Sequence, residues 1–271
     1  MRPLAPIAVL VAFAAAPVWA APPSNEAAPS VQTTGAAKPP PTPTKATPEQ
    51  RTEAERLDPL ARAAFWAREV DIDAKDAQAE LGLSRALRAL GRFDEAAAAA
   101  DQLLVFEPNN YDALLESARA RVGGNQGFYA IESAEHAETL QPRDWRPVSL
   151  LAVALEQANR DDEALAAHEK ALALAPDNPA TLTNLGMYYA SHGQPEKAEP
   201  LLRKAAAAPG ATAQERQNLA LVLGLEGRYD EAASLERQDL PPDQVDNNLA
   251  YLHADAQAAT PRSWASVKAA Q

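Results

Sequence analysis

The sequence predicts an all-α solenoid of stacked helix pairs, and three observations carry that prediction. The segment Gly91 to Ala96 returns as Asn159 to Ala164 and again as Gly227 to Ala232, each 68 residues on. Halfway between lie Asn125 to Ala130 and Gly193 to Ala198, so Ala96, Ala130, Ala164, Ala198 and Ala232 stand 34 residues apart without one insertion. Pro108, Pro142 and Pro176 keep the same period, with Pro209 and Pro241 slightly off it. Composition agrees: 63 of 271 residues are alanine and 6% are aromatic, which disfavours sheets built from branched and aromatic side chains.

The elements follow in order. Residues 1–20 place Arg2 before an apolar run from Leu4 to Ala16 and end on Pro17-Val18-Trp19-Ala20, the pattern of an export signal cut after Ala20. An uncleaved anchor is the competing reading, but the run is short for a membrane span and holds Pro6. Residues 21–50, with Pro22, Pro23, Pro29, Pro39 to Pro41, Pro43 and Pro48, are expected to be an extended, disordered linker. The solenoid then occupies 51–255. It opens with a capping helix over 58–70, whose Leu60, Ala64, Phe65 and Trp66 cover the open face of the first unit.

Five units follow, near 77–110, 111–144, 145–178, 179–212 and 213–246. In each, a first helix carries apolar residues at helical spacing, as Leu182, Leu185, Tyr188 and Tyr189 do. It is predicted to stop at Gly91, Asn125, Asn159, Gly193 or Gly227, residue types that readily take the left-handed conformation. Acidic residues suit the positive start of the second, alanine-rich helix, and proline blocks its continuation. The second unit departs from the pattern. Ser117 replaces the leucine found at 83, 151, 185 and 219, and Gly123-Gly124-Asn125-Gln126-Gly127 predicts a loose turn. A lone helix over 243–254 closes the array: its Asn248-Leu249-Ala250 echoes Asn184-Leu185-Gly186 and Asn218-Leu219-Ala220. Residues 256–271 are expected to be a disordered tail.

The chemistry is read by exclusion. With no cysteine there is no disulfide, thiol nucleophile, cysteine-based zinc site or acylated N-terminal cysteine. A net charge of −12 disfavours nucleic acid and anionic membrane as partners. There is no GxxxxGK[ST], GxSxG or HExxH, and no acid–base constellation, so the protein is expected to be non-enzymatic, with no catalytic residue, cofactor or metal. His192, beside the helix-ending Gly193, suits a cap on free carbonyls. Glu132 and His136 are one helical turn apart, but two residues make no metal site.

The units resemble tetratricopeptide repeats, with 179–212 the nearest copy. That resemblance implies a right-handed superhelix whose first helices line a concave groove for a protein or peptide partner. It puts these residues on the inner face: Gln78, Leu81, Arg85 and Arg88; Asp112, Leu115 and Arg119; Arg146, Ser149, Val153 and Glu156; Thr183, Asn184 and Met187; Gln217, Asn218 and Leu221. The partner-binding candidates are Arg85, Arg88, Arg119, Arg146, Asn184, Met187, Gln217 and Asn218. The arginines suit an acidic segment or the C-terminal carboxylate of a polypeptide, or else pair with local acids such as Asp112 and Glu156. Reversing Arg85 and Arg119 together is expected to weaken partner capture without lowering the melting temperature. Asn184, Asn218 and Asn248 either hold a ligand backbone or bond a neighbouring helix.

Three runs resemble a narrower family, the TadD-type assembly proteins of Flp (tight adherence, Tad) pili. They are Ala63 to Glu69, Arg216 to Gly224 and Val245 to Leu252. The resemblance implies an exported, periplasmic accessory factor in pilus assembly, with the secretin or another assembly component as partner. Members of that family are often lipid-anchored through a cysteine. This sequence has none, so any outer-membrane association is expected to run through a protein. A general periplasmic scaffold or chaperone for another envelope complex is the alternative.

Overall fold

The computed structural model describes residues 44–257. The expected export signal, the linker up to residue 43 and the tail beyond 257 lie outside them. Among the described residues every regular element is a helix. Two leading helices, the short α1 (Pro48–Ala54) and the longer α2 (Pro59–Ile72), precede five pairs: α3 (Ala77–Ala89) with α4 (Phe93–Phe106), α5 (Tyr111–Gly123) with α6 (Gly127–Leu140), and α7 (Trp145–Gln157) with α8 (Asp161–Leu174). Next come α9 (Pro179–Ser191) with α10 (Pro195–Ala206), and α11 (Ala213–Leu225) with α12 (Tyr229–Glu236); α13 (Pro242–Gln257) ends the array.

Both ends of every first helix are set by residues on the 34-residue grid. At the start stand Asp76, Asn110, Asp144, Asn178 and Thr212, each accepting a hydrogen bond from a backbone N–H of the first turn. At the end, Gly91, Asn125, Asn159, Gly193 and Gly227 all have φ between 57° and 80°. The residue after each donates its N–H back to a carbonyl of the last helical turn, for example Arg160 to Leu155 at 2.9 Å.

The turn expected to be loose is built in the same way as the others. Asn125 has φ 57°, and Gln126 N–H reaches Arg121 O at 2.8 Å. Its glycines answer to close approach: a Cβ on Gly123 would lie 2.6 Å from the Phe93 ring, and one on Gly127 would run into the Ala154 carbonyl.

Each unit stacks on the next, and the first helices of successive units touch one another. The core is built from clusters of mostly small and branched residues, one joining the second to fourth units and another the fourth and fifth. Ala96, Ala100, Ala130, Ala134, Ala164 and Ala198 are inaccessible, and Leu103, Leu115, Leu182 and Leu202 are buried with them. Each such leucine contributes about 2 kcal/mol by burial. Small residues bring helices close: a Cβ on Gly186 would sit 2.8 Å from Leu202. At the open ends, Trp66 of α2 is wholly buried against Gly82, and Leu252 of α13 packs on Gly224.

The expected linker runs too far. Residues 44–50 are ordered, and Pro48 begins α1 under a capping box formed by Thr47 and Gln50. Arg51 anchors this helix, with bonds to Glu69 (2.8 Å), Asp76 (2.7 Å) and Gln78 (3.0 Å), and its guanidinium lies 5.7 Å from the Trp66 ring. Lys45 adds pairs to Asp73 and Asp76. At the other end, α13 continues through Ala256 and Gln257, inside the expected tail.

Candidate functional site

The 34-residue register places the arginines of the first two units on neighbouring helices. Arg85 and Arg88 lie one turn apart on α3, and Arg119 stands on α5, at the position Arg85 occupies in its own unit. All three converge on Glu116. Arg119 Nη1 donates to Oε1 at 2.6 Å, Arg88 Nε donates to Oε2 at 3.1 Å, and Arg85 Nε stands 3.7 Å from Oε1. The Glu116 side chain is 2% exposed, whereas those of Arg85, Arg88 and Arg119 are 47%, 36% and 30% exposed. One buried carboxylate therefore fixes the roots of three guanidiniums that still reach solvent.

A local acid does meet these arginines, and it is Glu116. Asp112 acts on Arg146 at longer range, and Glu156 meets His168 and Ser191. The register contained the signal, because Glu116 occupies the unit position held by Asn184 and Asn218. It also follows that reversing Arg85 and Arg119 would set new carboxylates against a buried one. The geometry therefore favours a lowered melting temperature for that double reversal over an unchanged one.

Arg146 is committed elsewhere. It holds Asp144, with Nε at 2.8 Å from Oδ2, and lies 5.6 Å from the Tyr111 ring, whose hydroxyl donates to the same carboxylate at 2.7 Å. Burial raises the Asp144 pKa, but the bonds from Arg146, the backbone and Tyr111 outweigh it and bring the value down to about 2. Burial, with the Asp144 bond, pushes the Tyr111 phenol up to about 12. This trio links α5 to α7 through the loop between units two and three.

The remaining candidates occupy the later units. Asn184 donates to Ser149 Oγ at 2.9 Å, tying the fourth unit to the third. Asn218 accepts from Gln214 on its own helix at 3.0 Å, and Asn248 donates to Glu236 at 3.1 Å. The contacts of Asn184 and Asn248 reach a neighbouring helix, whereas that of Asn218 stays within its own. Met187 packs beside the Leu202 and Leu219 cluster, and Gln217 is half-buried. Leu115, expected on the inner face, is wholly buried and lines no open surface. His192 caps α9, with Nδ1 2.8 Å from Tyr188 O. His136 Nε2 lies 2.9 Å from Asn109. Among the described residues no cluster of His, Asp and Glu could hold a metal ion, and no helix is long and apolar enough to cross a membrane.

Residues 147–209 match the family model described as tetratricopeptide repeat. No curated protein sequence matches this one. Among solved structures, TTC0263, a tetratricopeptide repeat protein of Thermus thermophilus, shares 26% identity over 65% of this chain and 98% of its own, with a TM-score of 0.58. A tetratricopeptide repeat protein from Parabacteroides merdae aligns over 76% of this chain and 80% of its own at 12% identity, with a TM-score of 0.61. MamA (41-end) from Desulfovibrio magneticus RS-1 aligns over 58% and 89% at 20% identity, with a TM-score of 0.51. These last two share the fold. The helix pairs described here form a solenoid of the tetratricopeptide repeat type, and residues 147–209 are matched by that family's model.

Proposed function

We propose that the protein is a non-enzymatic scaffold whose first two repeats take an acidic segment of a protein partner. One observation carries this reading: Arg85, Arg88 and Arg119 share a single buried carboxylate, so Glu116 offsets one of their three charges. A local positive surface in a molecule of net charge −12 favours carboxylates, which guanidinium forks bind through paired hydrogen bonds. Glu116 holds the forks in place before any partner arrives, which lowers the ordering cost of binding. Arg146, Asn184, Met187, Gln217 and Asn218 extend the same face as shaping residues.

The three sequence runs that resemble TadD-type proteins support a partner in the cell envelope, within the pilus assembly machinery and including its secretin. The absence of cysteine favours a second reading, a periplasmic scaffold serving another envelope complex. The test uses the full-length protein with Arg85→Gln and Arg88→Gln, leaving Arg119 to satisfy Glu116. Secretin should co-purify with the parent protein from envelopes and be lost with the variant. Co-purification of other envelope proteins without secretin would support the second reading, and equal capture by both proteins would overturn the groove assignment. Location has its own test. High salt or urea should wash the protein from isolated envelopes, whereas retention until detergent is added contradicts protein-mediated attachment.

A further inference from the structure

The second unit breaks the pattern of its neighbours at a second place, on the second helix of its pair. Where the other units carry Asp94-Glu95, Asp162-Glu163, Glu196-Lys197 and Asp230-Glu231, this unit carries Phe128-Tyr129. Both rings stand out from the start of α6, 73% and 66% exposed, and meet edge to face with centroids 5.5 Å apart. They line one wall of an open hollow of about 340 Å³ whose other walls include Arg121, Glu132, Glu135 and Arg160. Helical spacing puts Phe128, Glu132 and Glu135 on one face of α6.

The charges in this hollow are not equivalent. Arg121 is taken by Asp101, at 3.1 Å through Nη1 and 2.5 Å through Nη2. Arg160 is taken by Glu163, at 2.8 and 2.6 Å. Arg160 acts on Glu135 at longer range, but among the described residues neither Glu132 nor Glu135 makes an ion pair at contact distance. With each arginine matched by an acid, the hollow presents two carboxylates beside two exposed aromatic rings.

We infer that this hollow is a second docking surface, separate from the arginine groove, which receives an arginine or lysine side chain of a protein partner. The rings supply a face for the cation, and the two glutamates supply the opposite charge at helical spacing. The aromatic pair does not occur in the other four units, whose equivalent positions carry charges. The scaffold thus offers an acidic-segment site on its first helices and a basic-residue site on α6, and each is testable without the other.

The probes are fluorescein-labelled peptides of four Gly-Arg, four Gly-Lys or four Gly-Glu repeats, titrated into the full-length protein by anisotropy. Both basic peptides should bind the parent protein. Phe128→Ala with Tyr129→Ala should weaken them about tenfold, and Glu132→Gln with Glu135→Gln should do so to a similar degree. Arg85→Gln with Arg88→Gln should leave them unchanged. Both rings are exposed, so the melting curve of the double alanine variant should overlay that of the parent. Equal binding of basic peptides to parent and double alanine variant would overturn the inference, because attraction would then be general to an acidic protein. A parent dimer in sedimentation that dissociates in the double alanine variant would also overturn it, assigning the rings to a second copy.

Discussion

Arg88 Nε lies 3.1 Å from a carboxylate oxygen of Glu116, a bond that crosses from the first helix of one repeat to the first helix of the next. The same carboxylate holds Arg119, so one buried acid both joins two units and organises the charge of the inner face.

Glu116→Gln separates those two roles. Removing the carboxylate leaves clustered guanidiniums without their counter-charge, and unfolding stability should fall by about 2–4 kcal/mol. Affinity for an acidic peptide should rise, because the arginines no longer share their bonds with a resident anion. Urea denaturation and peptide anisotropy on the same preparation check both signs. Unchanged stability would show that Glu116 does not tie the units together.

Gly82→Ala tests the N-terminal cover. A Cβ there runs into the Trp66 indole, which is wholly buried. Overpacking costs about 1–3 kcal/mol, more than the helix propensity gained from alanine. Thermal melting should show the loss, and Trp66→Leu combined with Gly82→Ala should recover part of it. A stabilised Gly82→Ala variant would contradict the close approach.

Glu80 stands where Leu114, Val148 and Leu182 stand in later units, and burial pushes its pKa from 4.5 up to about 7. A raised carboxyl pKa favours the folded state at low pH, and that contribution is lost as pH rises from about 4.5 to 7. Glu80→Leu should therefore stabilise the protein more at pH 8 than at pH 4, by up to about 3 kcal/mol. Denaturant unfolding at both values decides it. An equal gain at each pH would mean the carboxyl titrates as it does in the unfolded state.

Asp144 has the opposite sign. Its pKa is lowered to about 2, so its contribution is present above 3.8 and is lost as pH falls toward 2. The parent protein should lose about 2 kcal/mol through this group over that range, and Arg146→Gln should flatten the loss. Stability measured from pH 5 to pH 2 by circular dichroism checks the difference in slope.

The repeat was legible because identical chemistry recurs at identical spacing: the five alanines from Ala96 to Ala232 and the positive-φ residues that end the first helices, from Gly91 to Gly227, both obey it. The helix starts obey it too, in Asp76, Asn110, Asp144, Asn178 and Thr212. Less was legible where a residue acts on a distant neighbour. The glycines at 123 and 127 look like slack in sequence, yet each faces a side chain or carbonyl from another helix. Arg88 and Glu116 are 28 residues apart, a pairing that only stacking creates. Pro48 reads as linker because proline dominates the composition there, although Thr47 and Gln50 already form a capping pair.

The most direct measurement is the affinity of the full-length protein for a labelled Asp- and Glu-rich peptide, compared with that of Arg85→Gln with Arg88→Gln. With the inner face as the acidic-segment site, the parent should bind and the variant should lose about tenfold or more, with salt weakening the parent further. Equal affinity for the two proteins, at matched melting temperature, would contradict the assignment of the groove.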